Sequence, residues 1–177
     1  MLFASTFTPV MFYTQLSSQE RSTMISVQPQ DFDFSKEYDD LRKNSPQSGA
    51  IVMFTGLVRD FSEDQTIKKM TLEHYPGMTE NTLQSIADQA KERWPIEELR
   101  IIHRVGDLYA QDQIVLVGVS SAHRAAAYEA SQFIMDILKT EAPFWKKETT
   151  IAADGEEDQR WVDAKQSDQD KAQSWGK

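Results

Sequence analysis

The sequence contains no cysteine. This absence excludes disulfide bridges, thiolate metal sites and a cysteine nucleophile. If the protein handles sulfur, the sulfur has to arrive on another molecule. Histidine is also scarce: only three occur, and none has the i, i+4 spacing of a helical zinc pair, so we predict no metal site. His74 and His103 fall in predicted strands, where core or edge positions are commoner than ligand positions.

Long apolar runs and familiar nucleotide motifs are missing as well. The run 114–119 is far shorter than the roughly 20 residues that a membrane helix needs. Residues 1–16 are apolar, but no Lys or Arg precedes the apolar stretch as it would in a secretory signal. The sequence has no P-loop, dinucleotide glycine fingerprint or nucleophile elbow. We therefore predict a cytoplasmic protein without a membrane segment.

Positive charge is in the minority. The chain has 19 Lys and Arg against 28 Asp and Glu, and its formal net charge is −9. An acidic surface repels a phosphate backbone, which argues against a nucleic-acid partner. A small anion can still bind where a few cations gather, so the positions of those cations matter.

The remaining composition is that of an ordinary globular protein. Of its 177 residues, 40% are hydrophobic and 27% are charged, which fits one folded domain. Residues 1–23 show no period and are predicted to be a disordered extension. Residues 24–150 are predicted to be an α+β domain. Residues 151–177 are polar, and we expect them to dock through Trp161, Val162 and Trp175.

Hydrophobic periodicity predicts the elements of this domain. Strands are predicted at 25–27, 50–58, 67–75, 99–105 and 113–120. Helices are predicted at 35–43, between Pro76-Gly77 and Pro95, and from Ser121, as a cap, to about 140. The elements interleave irregularly and most strands have one buried face. This pattern predicts the α+β class and not a doubly wound parallel sheet.

Three groups of cations could hold a phosphate. Arg59 follows a predicted strand, His123-Arg124 begins the long helix, and Lys139, Lys146 and Lys147 surround its end. A helix start attracts anions through its free N–H groups and its dipole. The alternative is that His123 and Arg124 simply form a solvated first turn.

Lys139 also has two interpretations. The helix dipole alone favours a lysine in the last turn. However, its neighbours are the apolar run Ala142–Trp145 and the cations Lys146 and Lys147, and a lysine in apolar, cationic surroundings can exchange protons near neutral pH. The residues alone leave a structural role and a catalytic role open.

Four segments resemble the large subunit of molybdopterin synthase, in that family's order and at its spacing. They are Phe54–Arg59, Leu72–Met78, Ser121–Arg124 and Leu138–Glu148. The last segment, which reads LKTEAPFWKKE, is a specific signature. The resemblance covers about Met24 to Trp175.

This resemblance implies an α/β-hammerhead-like fold, a mixed sheet with flanking helices. It implies a homodimer within a heterotetramer, with a small ubiquitin-like subunit at each outer end. That subunit ends in a Gly-Gly thiocarboxylate and supplies the sulfur. The implied substrate is cyclic pyranopterin monophosphate, which two sulfur additions convert into the molybdopterin dithiolene of molybdenum cofactor biosynthesis. No separate cofactor is implied.

The resemblance also implies that 24–150 is the catalytic domain and that 151–177 docks on this domain or on the dimer partner. It further implies roles for individual residues. Lys139 is expected to be the main catalytic residue and Lys146 its helper. The residues expected to bind substrate are Leu57, Val58, Arg59, His123, Arg124, Lys147, Glu148 and Arg160. Arg124 and Lys139 lie about 22 Å apart along one helix, so we expect one of them to act from a neighbouring subunit.

Two departures and two alternatives accompany this prediction. The loop 60–66 lacks the Asn and Gly that are frequent in the family, and the turn 109–112 lacks a glycine common there. One alternative is a non-catalytic module that binds a ubiquitin-like tail at a sheet edge. The other is a small phosphate-ester hydrolase using Arg59 and His123, although the sequence offers it no recognisable nucleophile.

Overall fold

The computed structural model describes residues 22–59, 61–62, 65–151, 156–162 and 166–176. In chain order its elements are β1 (Ser22–Gln28), α1 (Phe34–Asn44), β2 (Ala50–Leu57), β3 (Phe61–Ser62), β4 (Gln65–His74), α2 (Met78–Arg93), β5 (Ile96–Arg104), β6 (Gly106–Leu108), β7 (Gln113–Ser121), α3 (Arg124–Glu141), β8 (Phe144–Ile151), β9 (Glu157–Val162) and α4 (Gln166–Ser174). The predicted α+β class is confirmed. No helix in the described ranges is long and apolar enough to cross a membrane.

The first sheet has the strand order β1-β5-β7-β2. The β1–β5 pair is parallel and the other two pairs are antiparallel, so the sheet is mixed. Helices α2 and α3 cover one of its faces, where Leu83, Ile101, Val117 and Phe133 are buried in the main core. Burial of this apolar surface is the principal stabilising contribution to the fold.

Helix α1 covers the other face of this sheet. Its N-cap is Asp33, whose carboxylate accepts hydrogen bonds from the backbone N–H groups of Ser35 and Lys36 at 2.9 and 3.1 Å. Leu41 packs so closely on β7 that a Cβ at Gly118 would lie 2.5 Å from its Cδ1. Glycine at 118 therefore allows α1 to approach the sheet.

The second sheet has the order β3-β4-β8-β9, and β6 also pairs with β4. All of its pairs are antiparallel. It carries a small core of Val58, Met70, Leu72 and Leu108. One face of this sheet forms part of the cavity described below.

Several predicted boundaries need correction. Ser121 does not cap α3, because it is still paired with Ala50 in the sheet and its Oγ donates to the carbonyl of Pro95 at 2.9 Å. The N-cap is His123. The segment 60–66 is not only a turn, since Phe61 and Ser62 pair with Thr66 and Gln65 at the start of β4. Strands β8 and β9 and helix α4 were not predicted.

The two ends of the chain bear on the predicted domain limits. Residues 1–21 lie outside the described residues, and their predicted disorder remains a prediction. Strand β1 begins at Ser22, so the predicted boundary after Thr23 falls inside a strand. At the other end, Trp175 contacts the rings of Trp94 and Phe133, with centroids 5.8 and 5.6 Å away.

Candidate active site

A cavity of about 610 Å³ lies between the second sheet, strands β2 and β7, and the C-terminal end of α3. Of the site residues predicted from the sequence, five line this cavity: Leu57, Arg59, Lys139, Lys146 and Glu148. Its walls also include apolar side chains, among them Phe54, Met70, Leu72, Ile114, Met135 and Phe144. An apolar cavity with a few converging charged groups is the usual form of a small-molecule site.

The pleat of β8 places its charged residues on alternate faces. Lys146 and Glu148 pair with Leu72 and Met70 of β4, and all four line the cavity. Lys147 lies between them in sequence and therefore points to the opposite face. There its ammonium group lies over the Trp161 ring in a cation–π contact, 5.3 Å from the ring centroid. Lys147 thus does not line this cavity, and its predicted contact with substrate remains a prediction.

Glu148 binds two cations and is itself almost fully buried, with 1% exposure. Its carboxylate lies 2.7 Å from Nζ of Lys146 and 3.5 Å from a guanidinium nitrogen of Arg160 on β9. Burial by itself would raise the pKa of Glu148, but hydrogen bonds and charge attraction from Lys146 and Arg160 outweigh it and lower the pKa. Glu148 is therefore a buried anion that fixes the position of the Lys146 ammonium group.

Two hydrogen bonds fix the backbone next to Arg59, whose own side chain is exposed. The Val58 N–H donates to the carbonyl of Asp112 at 2.9 Å, and the Val58 carbonyl accepts from the Gln111 N–H at 2.9 Å. Gln111 has a φ of 71°, in the left-handed region that usually requires glycine. This turn thus keeps its shape at a conformational cost. The Val58 side chain is fully buried, and its predicted contact with substrate remains a prediction.

Lys139 lies in the last turn of α3 and lines the cavity. Its side chain is 52% exposed, and its Nζ lies 3.6 Å from a carboxylate oxygen of Asp168 on α4. The surroundings are less apolar than the sequence predicted, because α4 brings a carboxylate to this position.

His103 contributes a neutral aromatic ring to the cavity wall. It stacks on Phe144 at a centroid distance of 3.7 Å, and its Nδ1 is 2.9 Å from the carbonyl of Arg104. Burial lowers its pKa from 6.5 to about 4, although the bond to the Arg104 carbonyl opposes the shift. A carbonyl only accepts, so Nδ1 carries the hydrogen and Nε2 is left as an acceptor.

His123 and Arg124 do not join the other predicted residues. Both are exposed at the start of α3, and neither lines the cavity near the other end of that helix. Arg160 also lies outside the lining and contacts Glu148. One chain thus brings together Arg59, Lys139 and Lys146, while His123 and Arg124 stay apart from them.

Comparisons with known proteins identify the family. A family model described as "MoaE protein" matches residues 27–141. The chain belongs to the MoaE family. A relative named "Molybdopterin synthase catalytic subunit" from Vibrio cholerae is 54% identical over 85% of this chain and 97% of its own length. One of the same name from Escherichia coli is 50% identical over 86% of this chain and 98% of its own length.

Solved structures agree with this assignment. The MoaE protein of Burkholderia ambifaria superposes with a TM-score of 0.74 at 46% identity, covering 88% of this chain and 99% of that chain. The structure of molybdopterin synthase from Staphylococcus aureus gives a TM-score of 0.70 at 30% identity, covering 77% of this chain and 95% of that chain. The fold described above is therefore that of MoaE proteins.

Two cavity residues of this MoaE chain were missed as site residues by sequence reasoning. His103 was interpreted as a core or edge histidine, and a strand pattern cannot reveal that its ring borders a cavity. Asp168 was not considered. The sequence did contain a pattern that places it on a packed helix face, because Asp168, Ala172 and Trp175 follow the i, i+4, i+7 spacing.

Proposed function

We propose that this chain is the catalytic subunit of a molybdopterin synthase. It transfers sulfur from the C-terminal thiocarboxylate of a small ubiquitin-like subunit to cyclic pyranopterin monophosphate and so forms the molybdopterin dithiolene. The observation that carries this proposal is the convergence of Lys139, Lys146 and Arg59 on one cavity. The names of its relatives, which are 50–54% identical over most of the chain, support the same activity.

The proposed chemistry needs protons moved and negative charge stabilised. Each sulfur leaves the acyl carbon of a small subunit, where water replaces it and restores an ordinary carboxylate. The sulfur takes the place of an oxygen on the pterin side chain, and the cyclic phosphate opens. Lysine ammonium groups can donate protons and stabilise the oxyanions of both steps. We assign Lys139 as the main catalytic residue, at the exposed side of the cavity, and Lys146 as its helper.

The other cavity residues have supporting roles in this proposal. Arg59 provides a guanidinium fork suited to the phosphate of the substrate. Glu148 is negatively charged and buried between Lys146 and Arg160, so it suits orientation of Lys146 better than contact with an anionic substrate. Leu57 contributes apolar surface to the wall.

His123 and Arg124 enter the site only if a second copy of the chain supplies them. Fifteen positions separate Arg124 from Lys139 within α3 (139 − 124), which is about 22 Å at 1.5 Å per residue. A single pterin cannot span that distance. We therefore propose a homodimer with composite sites, flanked by one small subunit at each end. The cytoplasmic location remains a prediction.

The test is reconstitution. The purified chain is incubated with a thiocarboxylated small subunit and cyclic pyranopterin monophosphate, and dithiolene formation is measured. The matched control is the same small subunit ending in an ordinary carboxylate, which should give no product. Binding of the small subunit without dithiolene formation would refute the enzymatic proposal and identify the chain as a tail-binding module.

A further inference from the structure

Helix α4 is fixed to the body of the protein by a single aromatic anchor. The Trp175 indole packs between Trp94 and Phe133, and its Nε1 donates to a carboxylate oxygen of Asp136 at 3.0 Å. The carbonyl of Trp175 accepts a hydrogen bond from Arg93 at 2.8 Å. These contacts join the end of α4 to both α2 and α3.

The anchored face of α4 carries one charged residue to the cavity. Asp168, Ala172 and Trp175 are partly buried, whereas the remaining described residues from 166 to 174 are exposed. Ala172 and Trp175 pack on the main core, but Asp168, one turn earlier, lines the cavity beside Lys139. An aspartate on the packed face of an otherwise polar helix indicates a role other than solubility.

Each of the two lysines that line the cavity has a carboxylate partner. Lys146 is bound by Glu148 at 2.7 Å, and Lys139 faces Asp168 at 3.6 Å. Within the described ranges, Asp168 is the sole ion-pair partner of Lys139. A lysine stem has four rotatable bonds, so without such a partner the ammonium group samples many positions.

We infer that Asp168 is a positioning residue for Lys139 and that the docked helix α4 is a functional part of the active site. Asp168 acts by holding the Lys139 ammonium group over the cavity, where a displacement of about 1 Å can lower the rate a hundredfold. This role rests on the proposed function, because it acts through Lys139.

The test compares two substitutions on the same helix. Asp168→Asn removes the charge beside Lys139, and Asp170→Asn removes the same charge from an exposed position two residues away. We expect Asp168→Asn to lower kcat roughly 10- to 100-fold, with KM for the pterin and Kd for the small subunit unchanged. Asp168→Glu should restore part of kcat. Asp170→Asn should match the wild-type protein.

A second variant tests the anchor. Trp175→Ala frees the end of α4 and should lower kcat in the same way, and adding Asp168→Asn to it should cause little further loss. The melting temperature of Asp168→Asn should stay near the wild-type value, since partly exposed ion pairs contribute little to stability.

The outcomes separate the possible failures. If the wild-type chain forms no dithiolene, the proposed function is wrong. If the wild-type chain is active and Asp168→Asn has the same kcat, the positioning role is wrong and the proposed function stands. A higher kcat in Asp168→Asn would mean that the carboxylate competes with substrate for Lys139, which also overturns the inference.

Discussion

A mixed dimer carrying Lys139→Ala in one chain and Arg124→Ala in the other tests how the active site is assembled. The two residues lie near opposite ends of α3, about 22 Å apart, and only Lys139 lines the cavity. If Arg124 serves the cavity of its neighbour, each homodimeric variant has two defective sites. The mixed dimer then has one site with both defects and one intact site.

The expected activity follows from counting sites. With equal expression and random pairing, half of the dimers are mixed, and each has one intact site of two. A quarter of all sites should therefore be intact, so the mixture should recover about 25% of wild-type activity. If Arg124 and Lys139 served a site within one chain, every site would keep a defect and the mixture would show no recovery.

The assay becomes sharper when the mixed dimer is isolated. The two variants carry different affinity tags and are purified through both, which leaves only mixed dimers with an expected activity of about half the wild-type value. A doubly tagged Lys139→Ala dimer is the control and should stay inactive. Mixed dimers no more active than either single variant would refute the composite site.

Three further substitutions test the cavity. Lys139→Ala should lower turnover about 10²–10⁴-fold in a single-turnover assay, because a proton-transfer group is lost, and near-normal turnover would remove Lys139 from the mechanism. Glu148→Gln should lower turnover and reduce the free energy of unfolding by about 1.5–3 kcal/mol in denaturant titrations, since Lys146 and Arg160 lose a buried carboxylate. An unchanged stability would contradict that account. His103→Gln should remove a loss of stability that the wild-type protein shows as pH falls from 6.5 to about 4. In the folded protein the buried imidazole stays neutral at pH values where it is protonated in the unfolded chain, and this difference is worth about 3 kcal/mol of unfolding free energy. An equal pH dependence of the unfolding free energy in both proteins would refute this account.

Two neighbouring positions provide controls for these variants. Lys147→Ala removes the same charge as a Lys146 substitution would, but from the opposite face of β8, so turnover should stay near the wild-type value. A large loss of turnover would instead support the predicted contact of Lys147 with substrate. Glu157→Gln changes an exposed carboxylate at the start of β9 that pairs with Lys68, and it should leave turnover and stability nearly unchanged.

The parts of the fold that could be predicted are those with an apolar period. Strands β2, β5 and β7 and helices α2 and α3 bury apolar side chains on a regular face, so their positions were predicted to within a few residues. Strands β8 and β9 lack this signal, and in the segment of α4 only Ala172 and Trp175 carry it. The buried residues of β8 are Glu148, Thr149 and Thr150, and a pattern of polar residues does not indicate burial.

The candidate site could be predicted only in part, for a similar reason. The lysines and Arg59 belong to segments that resemble a known family, so they were named from the sequence. The role of Glu148 depends on its burial between two cations, which is a property of the paired strands β8 and β9. The burial of Val58 and the outward position of Lys147 could not be predicted for the same reason, because membership of a motif does not specify which face a side chain occupies.

The alternation along β8 also determines which mutations this protein can tolerate. A substitution at Lys147 changes the outer face of the sheet alone. Deletion of one residue between α3 and Lys146 would instead move Lys147 into the inward position, with Thr149 in place of Glu148. The cavity would keep a lysine and lose the carboxylate that orients it. In evolutionary terms, the length of this strand is constrained more strictly than the residue at position 147.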